Sequence, residues 1–195
     1  MISTTPPERI INKKIMRKKF PKIYAFIDSQ NLNLGTKKNL FNRKGKKIYK
    51  GWKLDFKKFR IYLSDKFHVS DAFLFIGHIP QNEKMYSKLK SFGYRIIFKP
   101  TTKDDLGKPK GNIDAELVLH SAAIKFKEYN KAVIVSGDGD FYSLVHYFYD
   151  NGKLLRVIAP NRKQSSVLLR KEARGLIIFL DVLREKLEYK RKSTA

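Results

Sequence analysis

The sequence has no cysteine in 195 residues. That absence excludes a disulfide framework, a zinc knuckle, an iron–sulfur centre and a thiol nucleophile together. It fits a reducing compartment, and a cytoplasmic protein is the expectation. Long apolar runs are missing too: no window approaches the roughly 20 apolar residues of a membrane span. The basic start (Arg9, Lys13, Lys14, Arg17, Lys18, Lys19) is followed by an apolar stretch broken by Asp28 and Asn31, so it lacks the unbroken apolar core of a secretory signal. Neither a Walker-type phosphate loop nor Gly-x-Gly-x-x-Gly occurs, and nucleotide binding of those kinds has no support. No Gly-x-Ser-x-Gly elbow offers a serine nucleophile. The histidines His68, His78, His120 and His146 show no metal-ligand spacing.

Acids are scarce as well. The chain has 18 Asp+Glu against 42 Lys+Arg, a formal net charge of +24. Such an excess points to a polyanionic partner, nucleic acid before an anionic membrane surface. A membrane-surface role is weakened further, because no strongly amphipathic basic helix is evident. The hydrophobic fraction of 42 % supports a core, and the length suits one domain. Residues 1–21 read as a basic N-terminal arm, 22–189 as the domain, and 190–195 as a basic C-terminal tail.

Short segments that are apolar on both faces read as buried parallel strands. They are Ile23–Ile27, Ala72–Ile76, Tyr94–Phe98, Ala132–Val135 and Leu154–Ile158. Helical spacing lies between them: Leu54 to Phe67, Glu83 to Phe92, Asn112 to Tyr129 with Ile113, Leu117 and Ile124 on one face, and Phe141 to Asp150. A last helix is expected over Val167 to Tyr189, including the run Leu176–Leu180. This alternation predicts right-handed crossovers and a three-layer α/β/α sandwich around a five-stranded parallel sheet, in the order 3-2-1-4-5.

Two loops follow the C-terminal ends of strands, the edge where open α/β sheets bind ligands. Asn33 to Lys53 carries Lys37, Lys38, Arg43, Lys44, Lys46, Lys47, Lys50 and Lys53 with no acid, and Tyr49 and Trp52 beside them. Pro100 to Gly111 is mixed in charge and includes Lys110. Cations for phosphates and rings for bases suit single-stranded RNA. The rings have a second reading, pinning the loop to the body.

In so basic a chain the placement of the acids is informative. Asp28 follows the first strand, and Asp138 and Asp140 follow the fourth in Ser136-Gly137-Asp138-Gly139-Asp140. Asp114 lies in the first turn of the helix before the fourth strand. The expected order puts strands 1 and 4 side by side at the topological switch point, so Asp28 and Asp138 face one crevice and Asp114 can join them. Taken singly, Asp140 reads equally as a helix cap, and Asp114 as a first-turn acid favoured by the helix dipole. Together, carboxylates about 4 Å apart repel by about 4 kcal/mol at an effective dielectric near 20. A hard divalent ion relieves that repulsion. Mg²⁺ takes oxygen ligands, keeps waters and bridges carboxylates to phosphates, and such an ion can activate a water for phosphodiester cleavage.

These residues carry a resemblance. Phe26-Ile27-Asp28-Ser29-Gln30-Asn31-Leu32, Gly111-Asn112-Ile113-Asp114-Ala115-Glu116-Leu117 and Ser136-Gly137-Asp138-Gly139-Asp140-Phe141 resemble, in order, the three signatures of the NYN domain in the PIN-like nuclease superfamily. The match runs from about Ile23 to about Leu180 and is most similar to the bacterial LabA-like group. The middle block departs slightly, with Asn112 and Ile113 both standing between Gly111 and Asp114. The resemblance implies a PIN-like fold and an endoribonuclease site using Mg²⁺ or Mn²⁺. Asp28, Asp114, Asp138 and Asp140 would hold the metal, Asn31 would partner the first acid, and Ser136 would line the site. RNA is the implied partner, held by Lys37, Lys38, Arg43, Lys44, Lys46, Lys47, Lys50, Trp52 and Lys110. Some members of the superfamily bind RNA without cutting it, so a non-catalytic RNA-binding module is the alternative. PIN-like domains often pair, which adds a homodimer to the expectations.

Overall fold

The computed structural model describes residues 21–99, 102–103, 109–110 and 113–191; for 102–103, 109–110 and 113 the backbone alone is described. Residues 1–20 of the expected arm, residues 192–195 of the tail and Asn112, the expected start of the helix before the fourth strand, therefore fall outside the described residues, as does most of the Pro100–Gly111 loop. The strands are β1 (Ile23–Asp28), β2 (Leu40–Phe41), β3 (Lys47–Tyr49), β4 (Val69–Gly77), β5 (Tyr94–Lys99), β6 (Thr102–Lys103), β7 (Pro109–Lys110), β8 (Lys131–Val135), β9 (Leu154–Ala159) and β10 (Ile177–Phe179). The helices are α1 (Ser29–Lys37), α2 (Phe56–Phe67), α3 (Glu83–Ser91), α4 (Ile113–Leu119), α5 (Tyr142–Asp150), α6 (Val167–Glu172) and α7 (Arg184–Leu187).

The central sheet has six strands in the order β10-β9-β8-β1-β4-β5, every pair parallel. Five of the six, all but the edge strand β10, are the apolar runs expected from the sequence, in the expected order. β2 with β3, and β6 with β7, form separate antiparallel ribbons. One face of the sheet buries Leu32 of α1, Phe59 and Leu63 of α2, Leu89 of α3 and Leu187 of α7. The other buries Leu117 of α4, Val145 and Phe148 of α5 and Leu169 of α6. Two apolar faces on one parallel sheet require a layer of helices on each side, and the α/β/α sandwich follows.

The sixth strand corrects the expected last helix. Arg174 (φ 44°) and Gly175 (φ 82°) take left-handed conformations that stop α6. Leu176 then accepts a backbone bond from Val157 (2.7 Å), and Ile177–Phe179 pair with Val157–Ala159. A second correction concerns the helix before β8. The α-helix ends at Leu119 and passes into a π-turn over His120–Ile124, where the Lys125 amide reaches the His120 carbonyl (2.8 Å). The wider turn rotates the following residues, so Ile124 is exposed while Leu117 is fully buried.

The long basic loop also begins later than its sequence suggests, because Asn33 to Lys37 belong to α1. Trp52 is buried in the core, 4 % exposed. Its indole is therefore unavailable to stack on RNA; the ring pins the loop to the body. The Trp52 amide and the Tyr49 hydroxyl both donate to the Thr36 carbonyl, at 2.9 and 3.1 Å, which ties the base of the β2–β3 ribbon to the end of α1.

Gly35 lets α1 approach the end of β9. A Cβ there would lie 2.5 Å from Cβ of Pro160, a rigid ring that cannot swing aside. Gly35→Ala is expected to lower unfolding stability by about 1–3 kcal/mol through overpacking, measured by urea denaturation against wild type. An unchanged midpoint would show that α1 shifts without cost.

Candidate acidic site at the sheet switch point

β1 and β8 run side by side, with Ile27 opposite Val135, so Asp28 and Ser136 emerge together at the C-terminal edge. Asp28 closes β1 and also caps α1. Its Oδ1 accepts the amides of Gln30 (3.1 Å) and Asn31 (3.0 Å), the first donors of the helix. Its Oδ2 accepts from the Ser136 hydroxyl at 3.3 Å. The Ser136 oxygen accepts the Asp138 amide (3.1 Å), and the Asn31 side-chain oxygen accepts the Gly137 amide (2.8 Å). Asp138 in turn accepts the Asp140 amide at 3.1 Å and caps the short 3-10 turn Gly139–Phe141. The two strand ends are thus laced together by side chains that the motifs supply.

Asp28, Asn31, Asp114 and Asp138 line one pocket of about 550 Å³, with Lys38 at its side. α4 packs on β1 and β4 and on the Gly139–Phe141 turn, which brings Asp114 to that pocket. Asp28 is buried, Asp114 and Asp138 are half-buried, and Asp140 is exposed. Asp140 is not among the lining residues and stands outside the pocket, although its charge reaches Asp114. The remaining expected cations, Lys37, Arg43, Lys44, Lys46, Lys47 and Lys50, are exposed on the end of α1 and the ribbon that follows. The side chain of Lys110 lies outside the described residues.

Electrostatics show that the acids are crowded. Burial pushes the Asp28 carboxyl above the usual carboxylate range against the pull of the Asn31 amide, and Asp114 pushes it further. Burial also raises Asp114, helped by the charges of Asp138 and Asp140 and opposed by Lys99. Lys99, the last residue of β5, is buried (6 % exposed) and faces Asp114 and Asp28. Burial pulls its pKa down despite both carboxylates.

Lys99 was missed in the sequence, although its place at the end of a strand is the signal that singled out Asp28. The far wall of the pocket was missed as well. Pro160, Gln164 and Ser165 form it, held by the buried Asn161, whose side-chain amide donates to the Gly35 carbonyl (2.6 Å) and to Gln164 Oε1 (2.9 Å).

The donor chemistry fits a hard divalent cation: carboxylate and amide oxygens around a pocket where negative charge is penalised. Among the described residues, no three His, Cys, Asp or Glu side chains sit close enough to form a ready-made metal cage. Mg²⁺ is commonly held by one or two carboxylates with waters and substrate phosphates, and that looser mode matches the spacing here.

A parallel α/β/α sheet with acids from adjacent strand ends places the candidate site at the switch point, where open α/β sheets bind ligands. The NYN domain model matches residues 22–181, and the chain belongs to the NYN domain family. NYN domains have the PIN-like nuclease fold and are generally ribonucleases. Among solved structures, a protein of unknown function from Vibrio parahaemolyticus is similar in fold, with a TM-score of 0.66 and 22 % identity over 87 % of this chain and 96 % of that one. No curated protein matches the chain.

The raised carboxyl pKa values have a sign. An acid titrating higher in the folded than in the unfolded chain costs stability as pH climbs between the two values, and the full cost persists above both. Asp114→Asn is therefore expected to raise Tm at neutral pH in EDTA, with the gain fading below the ordinary carboxylate range. A variant no more stable than wild type at pH 7 would show that the acids are not mutually strained.

Proposed function

We propose that this chain is a metal-dependent endoribonuclease that hydrolyses phosphodiester bonds of single-stranded RNA at the acidic pocket. The observation carrying this reading is the convergence of Asp28, Asp114 and Asp138 on one pocket in a chain of net charge +24. Within the family, the motifs are most similar to the LabA-like group. Asp28, Asp114 and Asp138 would hold Mg²⁺ or Mn²⁺, with Asp140 completing or orienting that set from outside the pocket. The cation would supply charge neutralisation at the scissile phosphate and a water of lowered pKa.

The protein's own groups divide the remaining work. Asn31 positions water or phosphate while holding the β8 edge; Ser136, expected to line the site, is instead fully buried behind the pocket and fixes the Asp28 carboxylate. Lys38 and the exposed cations from Lys37 to Lys50 draw in the RNA backbone, which makes affinity steeply salt-dependent. A second reading, an RNA-binding module without turnover, is favoured by one observation: the carboxylates do not close into a three-ligand cage.

Labelled single-stranded RNA incubated with Mn²⁺ and then with EDTA separates the two. Wild type is expected to cut only with metal. Asp138→Asn, which leaves the Asp28 cap intact, is expected to be slower by about 10²-fold or more, the scale of losing one electrostatic stabiliser. Equal rates for wild type and variant would end the nuclease reading. Salt-sensitive binding without metal-dependent cutting would establish the second.

A further inference from the structure

A larger groove adjoins the acidic pocket. It measures about 1090 Å³ and runs between the start of α2, α3 and the ends of β4 and β5. That lies at the top of the roughly 300–1,000 Å³ typical of ligand sites and has room for an extended chain. Apolar surface dominates its interior. Ile79 and Met85 are 44 % and 42 % exposed, and the half-buried Phe56 adds an aromatic ring.

The groove's charge is one-sided. Lys53, Lys57 and Lys88 line it with exposed side chains, and Lys99 stands at its inner end. Its one lining carboxylate among the described residues, Asp55, is already engaged: Oδ1 accepts the amides of Lys57 (2.9 Å) and Lys58 (3.1 Å) to cap α2. Apolar surface with a ring suits nucleobases, and flanking ammonium groups suit phosphates. The groove is also continuous with the acidic edge. Gln30 lines both cavities, and Lys99 lines the groove within reach of the charges of Asp28 and Asp114.

We propose that this groove is the track by which single-stranded RNA reaches the acidic pocket, with bases against Phe56, Ile79 and Met85 and phosphates on Lys53, Lys57 and Lys88. The inference rests on RNA being the ligand of that pocket. It adds a second binding surface, on the opposite side of α1 from the Pro160–Ser165 wall. Lys99 and Gln30 mark the crossing point, where the strand leaves a cationic track and meets the acids.

Binding of fluorescent oligouridylate by the full chain, read as anisotropy in EDTA, tests this without any cleavage. Lys57→Glu with Lys88→Glu is expected to weaken binding by about 10-fold or more at low salt. It should also flatten the slope of log K against log salt by about 0.7 for each phosphate that is no longer neutralised. Lys127→Glu, an exposed lysine outside both cavities, serves as the control and is expected to bind as wild type. Photocrosslinking with 5-iodouridine in the oligonucleotide should place adducts on the peptide containing Phe56.

Equal weakening by Lys127→Glu, or adducts confined to the ribbon over Leu40–Tyr49, would overturn the track. So would a dimer in light scattering that Met85→Asp dissolves, since a second copy would then fill the groove. Because binding is read without metal, failure here leaves the nuclease test standing. Loss of metal-dependent cutting in that test leaves the groove result standing in the same way.

Discussion

The Asp28 carboxylate is the last side chain of the central strand and the acceptor for the first free amides of the helix that follows. One oxygen takes Gln30 and Asn31, and the other takes Ser136 from the neighbouring strand. A helix must find partners for its opening N–H groups, and here an acid of the candidate site meets that need. The direction of α1, the spacing of the β1 and β8 edges and the position of one carboxylate are therefore a single constraint. Asn31 completes it by holding the Gly137 amide across the same gap.

Fixing an acid this firmly has an electrostatic cost. Asp28 is buried beside Asp114, and each carboxyl is harder to ionise than in water. Two features oppose the cost without removing it: amide donors on Asp28, and Lys99 beside both acids. The rest of the surface is strongly cationic, so the pocket is a small region of suppressed negative charge inside a positive field. In the proposed reading a divalent cation and a phosphate complete that balance, the ion meeting the carboxylates and the lysines meeting the RNA.

Much of this was legible in the sequence because the strands are short, apolar on both faces and separated by helical spacing. The order of five of the six strands followed from the alternation of strands and helices, and the same order placed Asp28 and Asp138 at one edge, where Asp114 lines the same pocket. What escaped had tertiary causes. Leu176–Leu180 reads as helix by composition, and only the left-handed Arg174 and Gly175 turn it into an edge strand. α1 is polar and short, and its start depends on a cap from Asp28, an acid read chiefly as functional. Trp52 among lysines resembles a stacking ring until the core is seen to need it. Lys99 and the Pro160–Ser165 wall carry no local motif; they matter through what lies across from them.

Burial of Trp52 pins the base of the basic ribbon to the body. A loop of lysines free at both ends would spread its charge over many conformations. Here the Trp52 amide and the Tyr49 hydroxyl hold the ribbon against Thr36, the residue after the Gly35 that packs on Pro160. Lys38 lines the pocket, while its neighbours stay exposed beyond it. In the proposed reading the pinned base of the ribbon would keep its cations on the side from which a polyanion reaches the acids. Trp52 would then serve binding by packing inward, and the lysines around it would present the charge.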